Sequence, residues 1–128
     1  MTADWRTYPV TIDRFRAALS TARALRSIVA ESTSTASEMP EAARYWLTAD
    51  AQSGYGVTHD GELIGVFSLV KGRGSDLVWQ AIVTGYAMRL DCFDGFLPAF
   101  YAGLGFRETY RVANYVKGGP DVVYMGRV

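Results

Sequence analysis

Three clusters of residues have types and spacings that could do chemistry. Tyr101 stands four residues before Gly105-Phe106, which sets a phenol in the last turn of a helix that the glycine ends. A phenol can donate a proton to a basic leaving group, and the same residue also reads as a core aromatic beside Phe100. Asp91 lies ten residues earlier, inside the apolar run Met88 to Phe93. A carboxylate in such a run is costly to bury unpaired, so it either pairs with Arg89 or Arg107 or serves as a base for an incoming amine. The third cluster is Val70-Lys71-Gly72-Arg73-Gly74-Ser75, a glycine-rich turn between an apolar run and a helical pattern. Glycines let a backbone approach a ligand closely, a helix N-terminus offers free N–H groups to phosphate, and Lys71 and Arg73 add charge. The same residues also read as an ordinary strand-to-helix turn with surface cations. His59 and Cys92 are the only residues of their types. His59 adjoins a turn and reads as exposed. Cys92 alternates with Asp91 and reads as core-facing. Together they make no metal-ligand cluster and no internal disulfide.

The elements that must hold these residues follow from periodicity. Ile12, Phe15, Leu19, Ala22, Leu25 and Val29 recur at steps of three and four, which predicts an amphipathic helix over 11–30 with Thr11 as N-cap and Asp13 in its first turn. Arg16 and Arg23 share a side of it, a solvated flank or a phosphate contact. ESTSTAS at 31–37 reads as a loop. Pro40 suits the first turn of a second helix over about 40–49, with Ala43, Trp46 and Leu47 on its apolar side. Strands begin at Gly54. Tyr55 to His59 and Glu62 to Val70 flank Asp60-Gly61, a strong hairpin signal. The second of these runs is apolar on both faces, as in a covered sheet, and Gly65 within it points to a bulge or a close backbone approach.

After the glycine-rich turn, Ser75 is placed to cap a short helix that Gly85 ends, and Ala87 to Phe93 is the next strand. Strand, turn, helix and strand make a short βαβ unit, which predicts that 63–70 and 87–93 lie side by side, parallel, with a right-handed crossover. A helix over about 97–104, a strand over 106–116, a turn at Gly118-Gly119-Pro120 and a last strand over about 121–125 complete the chain.

Composition bounds the rest. At 128 residues, 49% of them hydrophobic, the chain reads as a single domain over 1–128 able to bury a core. No apolar run approaches the roughly 20 residues that span a bilayer. MTADWRTYPV lacks the basic and then apolar pattern of a signal peptide. A cytoplasmic setting with no membrane partner is the expectation. Thirteen basic and thirteen acidic residues give zero net charge. That balance argues against a generic nucleic-acid coat, while residues 1–30 are locally basic and 31–66 acidic.

Residues 87–110, with Tyr101-Ala-Gly-Leu-Gly105-Phe106 at their centre and Val70 to Ser75 upstream, resemble the closing half of the GNAT acyltransferase superfamily. The resemblance covers about 54–128. Leu69 stands where that family's loop usually carries Gln or Arg. The resemblance implies an α/β (α+β) fold with a mixed sheet, helices on both faces and two splayed parallel strands that open a slot for acyl-CoA. It implies acetyl-CoA as co-substrate, with its pyrophosphate held at 70–75. It implies an amine acceptor, backbone N–H groups of strand 62–70 on the carbonyl, and Tyr101 as the acid. Small phage-type proteins of this superfamily, including the Mom type that modifies adenine in DNA, look similarly abbreviated, so DNA is an alternative partner. A non-catalytic binding module on the same fold is a third reading.

Overall fold

A computed structural model describes residues 6–127. The first five residues, on which much of the signal-peptide reading rests, lie outside that range. The contacts divide the chain into two compact units, one ending at Ala87 and one beginning at Met88.

The first unit is a four-stranded antiparallel sheet in the order β1-β2-β3-β4. Its strands are β1 (Thr7–Val10), β2 (Ala43–Thr48), β3 (Ser53–Thr58) and β4 (Leu63–Ser68). Helix α1 (Ile12–Leu25) covers one face. Phe15, Leu19 and Ala22 of α1 pack with Tyr45, Leu47 and Phe67, and the Phe15 and Tyr45 rings lie 4.6 Å apart. Helix α3 (Gly74–Gly85) covers the other face, burying Leu77, Val78 and Ala81. There the Trp46 and Tyr55 rings stack at 5.2 Å.

Three expectations need correction here. The helix expected over 11–30 ends at Leu25, and α2 (Ser27–Ser32) follows as a separate piece. Leu25 is 66% exposed, whereas Val29 of α2 is buried. Thr11 does cap α1, accepting a hydrogen bond from the Arg14 N–H at 3.3 Å. The second helix, about 40–49, is instead strand β2. Tyr45 to Thr48 are all buried because both faces of the sheet are covered, and a short apolar run of that kind has no periodicity that separates helix from strand. Pro40 begins no helix; its carbonyl accepts a hydrogen bond from the Tyr45 hydroxyl at 2.5 Å. Strands therefore begin well before Gly54.

The second unit is a three-stranded antiparallel sheet in the order β5-β7-β6, made of β5 (Arg89–Phe93), β6 (Phe106–Val112) and β7 (Val122–Arg127). Helix α4 (Phe96–Ala102) packs on one face, where Leu90, Phe106, Val123 and Met125 are buried. The expected parallel pair 63–70 and 87–93 is not formed as a hydrogen-bonded pair. β4 belongs to the first sheet and β5 to the second, and every pairing in either sheet is antiparallel. β4 takes its partner locally through the hairpin with β3, while β5 takes a distant one, β7. The mixed sheet is thus two antiparallel sheets in an α+β chain.

Candidate functional site

In the first unit, β4 and the turn after it carry the candidate binding features. β4 is an edge strand. Its pairing with β3 shifts register between Gly54 and Gly56, which face Phe67 and Ile64, so β4 carries one extra residue. Gly65 lies in that bulge at φ +60, a left-handed conformation that a side chain would strain. A bulge on an edge leaves backbone donors without ladder partners.

The turn is anchored at both ends by groups the sequence does not pair. Ser68 Oγ donates to the Val70 carbonyl at 2.6 Å and accepts the Val70 N–H at 3.0 Å. It also shares a hydrogen bond of 2.8 Å with Ser53 Oγ. Arg73 does not reach outward. The residue is 6% exposed and its side chain folds inward, giving a forked bond to Asp50 at 2.8 and 3.2 Å and a bond to Ser53 Oγ at 3.0 Å. Its guanidinium, with help from the Thr48 hydroxyl and the Gln52 N–H, holds the Asp50 carboxyl well below the usual carboxylate range.

What the turn presents is therefore backbone. Lys71 and Gly72 are exposed, and Gly72 sits at φ +88 with nothing within 4 Å of where a Cβ would stand. α3 starts at Gly74, not after Ser75. Its N-cap is Arg73, which supplies no side-chain cap, so the first helical N–H groups have no capping side chain. Ser75 is exposed in the first turn, beside Asp76, whose charge complements the helix dipole and opposes an incoming anion. Asp50, Ser53 and Ser68 escaped sequence reasoning because they lie on three different strands or turns, with no local spacing to link them.

In the second unit, Tyr101 lies in the last turn of α4, 8% exposed, with its ring edge-on to Phe100 and Phe106 at 5.2 and 5.9 Å. No hydrogen bond to its hydroxyl is found among the described residues. Burial, with a contribution from the Cys92 charge, pushes its pKa well above the usual phenol value. The phenol thus keeps its proton, and its gap from a thiol widens rather than narrows. Cys92 is half-buried and pushed up to about 11 by burial and by Asp91 and Asp94, which makes it a poor nucleophile.

Asp91 and Tyr101 do not share a face. β5 pairs regularly with β7 from Arg89 to Phe93, so Leu90 and Cys92 point to the α4 side and Asp91 to the open side. Asp91 forms no pair with Arg89 or Arg107. Partial burial among its neighbours raises its pKa. His59 is exposed in the hairpin turn. Arg16 and Arg23 are structural: Arg16 donates to the Met39 carbonyl at 2.7 Å, and Arg23 ties α1 to Ala30 and Thr33.

Among the described residues no group of acidic, histidine or cysteine side chains is arranged to hold a metal ion, and no helix is long and apolar enough to cross a membrane. Compared with protein-family models and with curated proteins, the chain matches none.

Proposed function

We propose that the chain is an acyltransferase that moves an acyl group from a CoA thioester to an amine. The observation that carries this reading is a succession of backbone features in the first unit: a bulged edge strand, a left-handed Gly72, and a helix N-terminus with no side-chain cap. An extended thioester arm laid along β4 would find an edge to hydrogen-bond, as added strands do. N–H groups at the bulge would hold the carbonyl oxygen as it gains negative charge. The pyrophosphate would lie at the start of α3, where the dipole and free N–H groups favour an anion. Arg73 serves this by holding the turn against Asp50, and Lys71 supplies the one exposed cation of the turn.

The amine attacks the carbonyl carbon, the C–S bond breaks, the nitrogen gives up a proton to water, and the departing thiolate takes one. Tyr101 is taken as that proton's donor on the resemblance of its motif alone. Asp91, on the opposite face of β5, is given no step.

Calorimetry with acetyl-CoA and with CoA tests the reading. Binding should be lost or weakened at least tenfold in Gly74→Tyr, which crowds the helix start, and strengthened in Asp76→Asn, which removes the opposing charge. Tyr101→Phe should keep the fold and CoA affinity while turnover falls by about 100- to 10,000-fold, the usual worth of a general acid. Absence of CoA binding by the parent chain overturns the proposal. Salt-sensitive DNA binding in its place would favour the DNA-modifying alternative.

A further inference from the structure

The bend between α1 and α2 sets a cation beside the end of β4, all within the first unit. Helix α1 stops at Leu25, Arg26 is extended at φ −135 and ψ 117, and α2 starts at Ser27. Arg26 fixes where this bend faces. Its Nη2 donates to the Leu69 carbonyl at 3.4 Å, across 43 residues of chain. Leu69 directly follows β4, and Lys71 stands exposed two residues further on. Two cations from different elements therefore flank the entrance to the glycine-rich turn. The Arg26 bond is at the long limit for a hydrogen bond, and a guanidinium has five N–H donors, so an anionic oxygen finds donors to spare. The bend is also aliphatic. Leu25 is 66% exposed and Ile28 64%, while α2 buries Val29 instead.

We propose that this bend seats the nucleotide end of the donor, with Arg26 and Lys71 on its phosphates and Leu25 and Ile28 against its adenine.

This rests on the CoA reading above and names the donor class more narrowly: free CoA rather than a pantetheine arm carried on a protein. Charge favours it. Arg73 is folded onto Asp50, and Asp76 opposes an anion, so the turn by itself offers one exposed lysine. CoA brings a pyrophosphate and a phosphomonoester, more negative charge than one lysine balances. The second cation has to come from another element, and Arg26 supplies it at a place its bond to Leu69 sets. An adenine ring has apolar faces that exposed aliphatic side chains can cover. A carrier-bound arm ends in a single phosphodiester and has no base, so it would leave both aliphatics in water.

Calorimetry of the full chain with CoA and with 4′-phosphopantetheine tests this. The parent should bind CoA about tenfold more tightly or better. Arg26→Gln should weaken CoA about tenfold with an unchanged melting curve, and Arg26→Lys should recover much of the loss. The gap between parent and Arg26→Gln should narrow at high salt. Ile28→Ser should weaken CoA about threefold and leave 4′-phosphopantetheine unaffected. Unchanged CoA affinity in Arg26→Gln or in Ile28→Ser, or 4′-phosphopantetheine as tight as CoA in the parent, overturns the proposal. The CoA reading itself then still stands if Gly74→Tyr abolishes binding. An Arg26→Gln variant that loses affinity together with melting temperature, and that Arg26→Lys does not recover, would show Arg26 to be a prop for Leu69 and also overturns it. Should the variants not fold, the parent's ratio of the two ligands decides. A parent that binds no CoA overturns both readings.

Discussion

The two units use the same chemistry, an arginine clamped by carboxylates, in opposite surroundings. In the first, Arg73 is sealed inside the fold and meets Asp50 and Ser53 in a fixed fork. In the second, Arg111 meets three acids, Asp94, Glu108 and Asp121, and all four side chains are about two-fifths exposed. The larger cluster is the weaker anchor. Water already satisfies the exposed charges, and holding four mobile side chains costs entropy, so counting ion pairs misleads. The buried Arg73 guanidinium cannot lose Asp50 without keeping its charge inside short of a carboxylate, although Asp50 itself is as exposed as the acids around Arg111. The sheets differ in the same way. The first has a helix on each face and offers its backbone at an edge, while the second carries its one helix, α4, on one face.

The sharpest break of this contrast lies at Gly65. A Cβ there would stand 3.0 Å from Met39 Sδ and 3.2 Å from the Phe15 ring, at a φ of +60. Gly65→Val should destabilise the first unit by about 3 kcal/mol, adding left-handed strain to overpacking. Chemical denaturation measures it. A neutral result would mean that the bulge relaxes freely, which would also weaken the case for a preformed carbonyl site on β4.

Asp50 comes next. Asp50→Ala leaves the Arg73 guanidinium inside without its carboxylate. The cost should be about 2 kcal/mol, less than for a fully buried pair because Asp50 itself is partly exposed. The pH dependence has a definite sign. The folded state holds the Asp50 carboxyl below its unfolded value, so its contribution is complete above about pH 4 and declines as pH falls further. The parent should lose stability steeply below that point, and Asp50→Asn should flatten the loss. An unchanged acid limb in the variant would remove Asp50 as its source.

Local patterns were legible in the sequence, and long-range ones were not. The hairpin around Asp60-Gly61, the Thr11 cap, the glycine turn before α3 and the short helix carrying Tyr101, which ends at Ala102 ahead of Gly105, each depend on a few neighbouring residues. β2 was not legible. Its helix-like spacing of Ala43, Trp46 and Leu47 competes with burial on two faces that only distant elements supply. The partner of β5 was equally hidden, since β7 lies some thirty residues further on. At the candidate site, Gly72 and Gly74 were legible as a turn, but the inward fold of Arg73 depends on Asp50 and Ser53, twenty or more residues away. A cation beside glycines signals phosphate only if nothing nearer claims it.

The smallest expected effect belongs to Arg111, and it is the most instructive. Glu108 and Asp94 have lowered pKa values through their hydrogen bonds to Arg111, so by inspection the cluster looks as strongly coupled as the Asp50 pair. Yet each carboxylate keeps open access to water, and each bond that Arg111 makes has a hydrated substitute. Arg111→Ala should leave the thermal midpoint unchanged within measurement error at physiological salt. At low salt a small drop should appear, because the three carboxylates left behind then repel one another with less screening. Melting curves at two ionic strengths would read both. A large loss at high salt would show that Arg111 anchors the ends of β5, β6 and β7 as firmly as Arg73 anchors the turn, and would erase the distinction between sealed and open clusters.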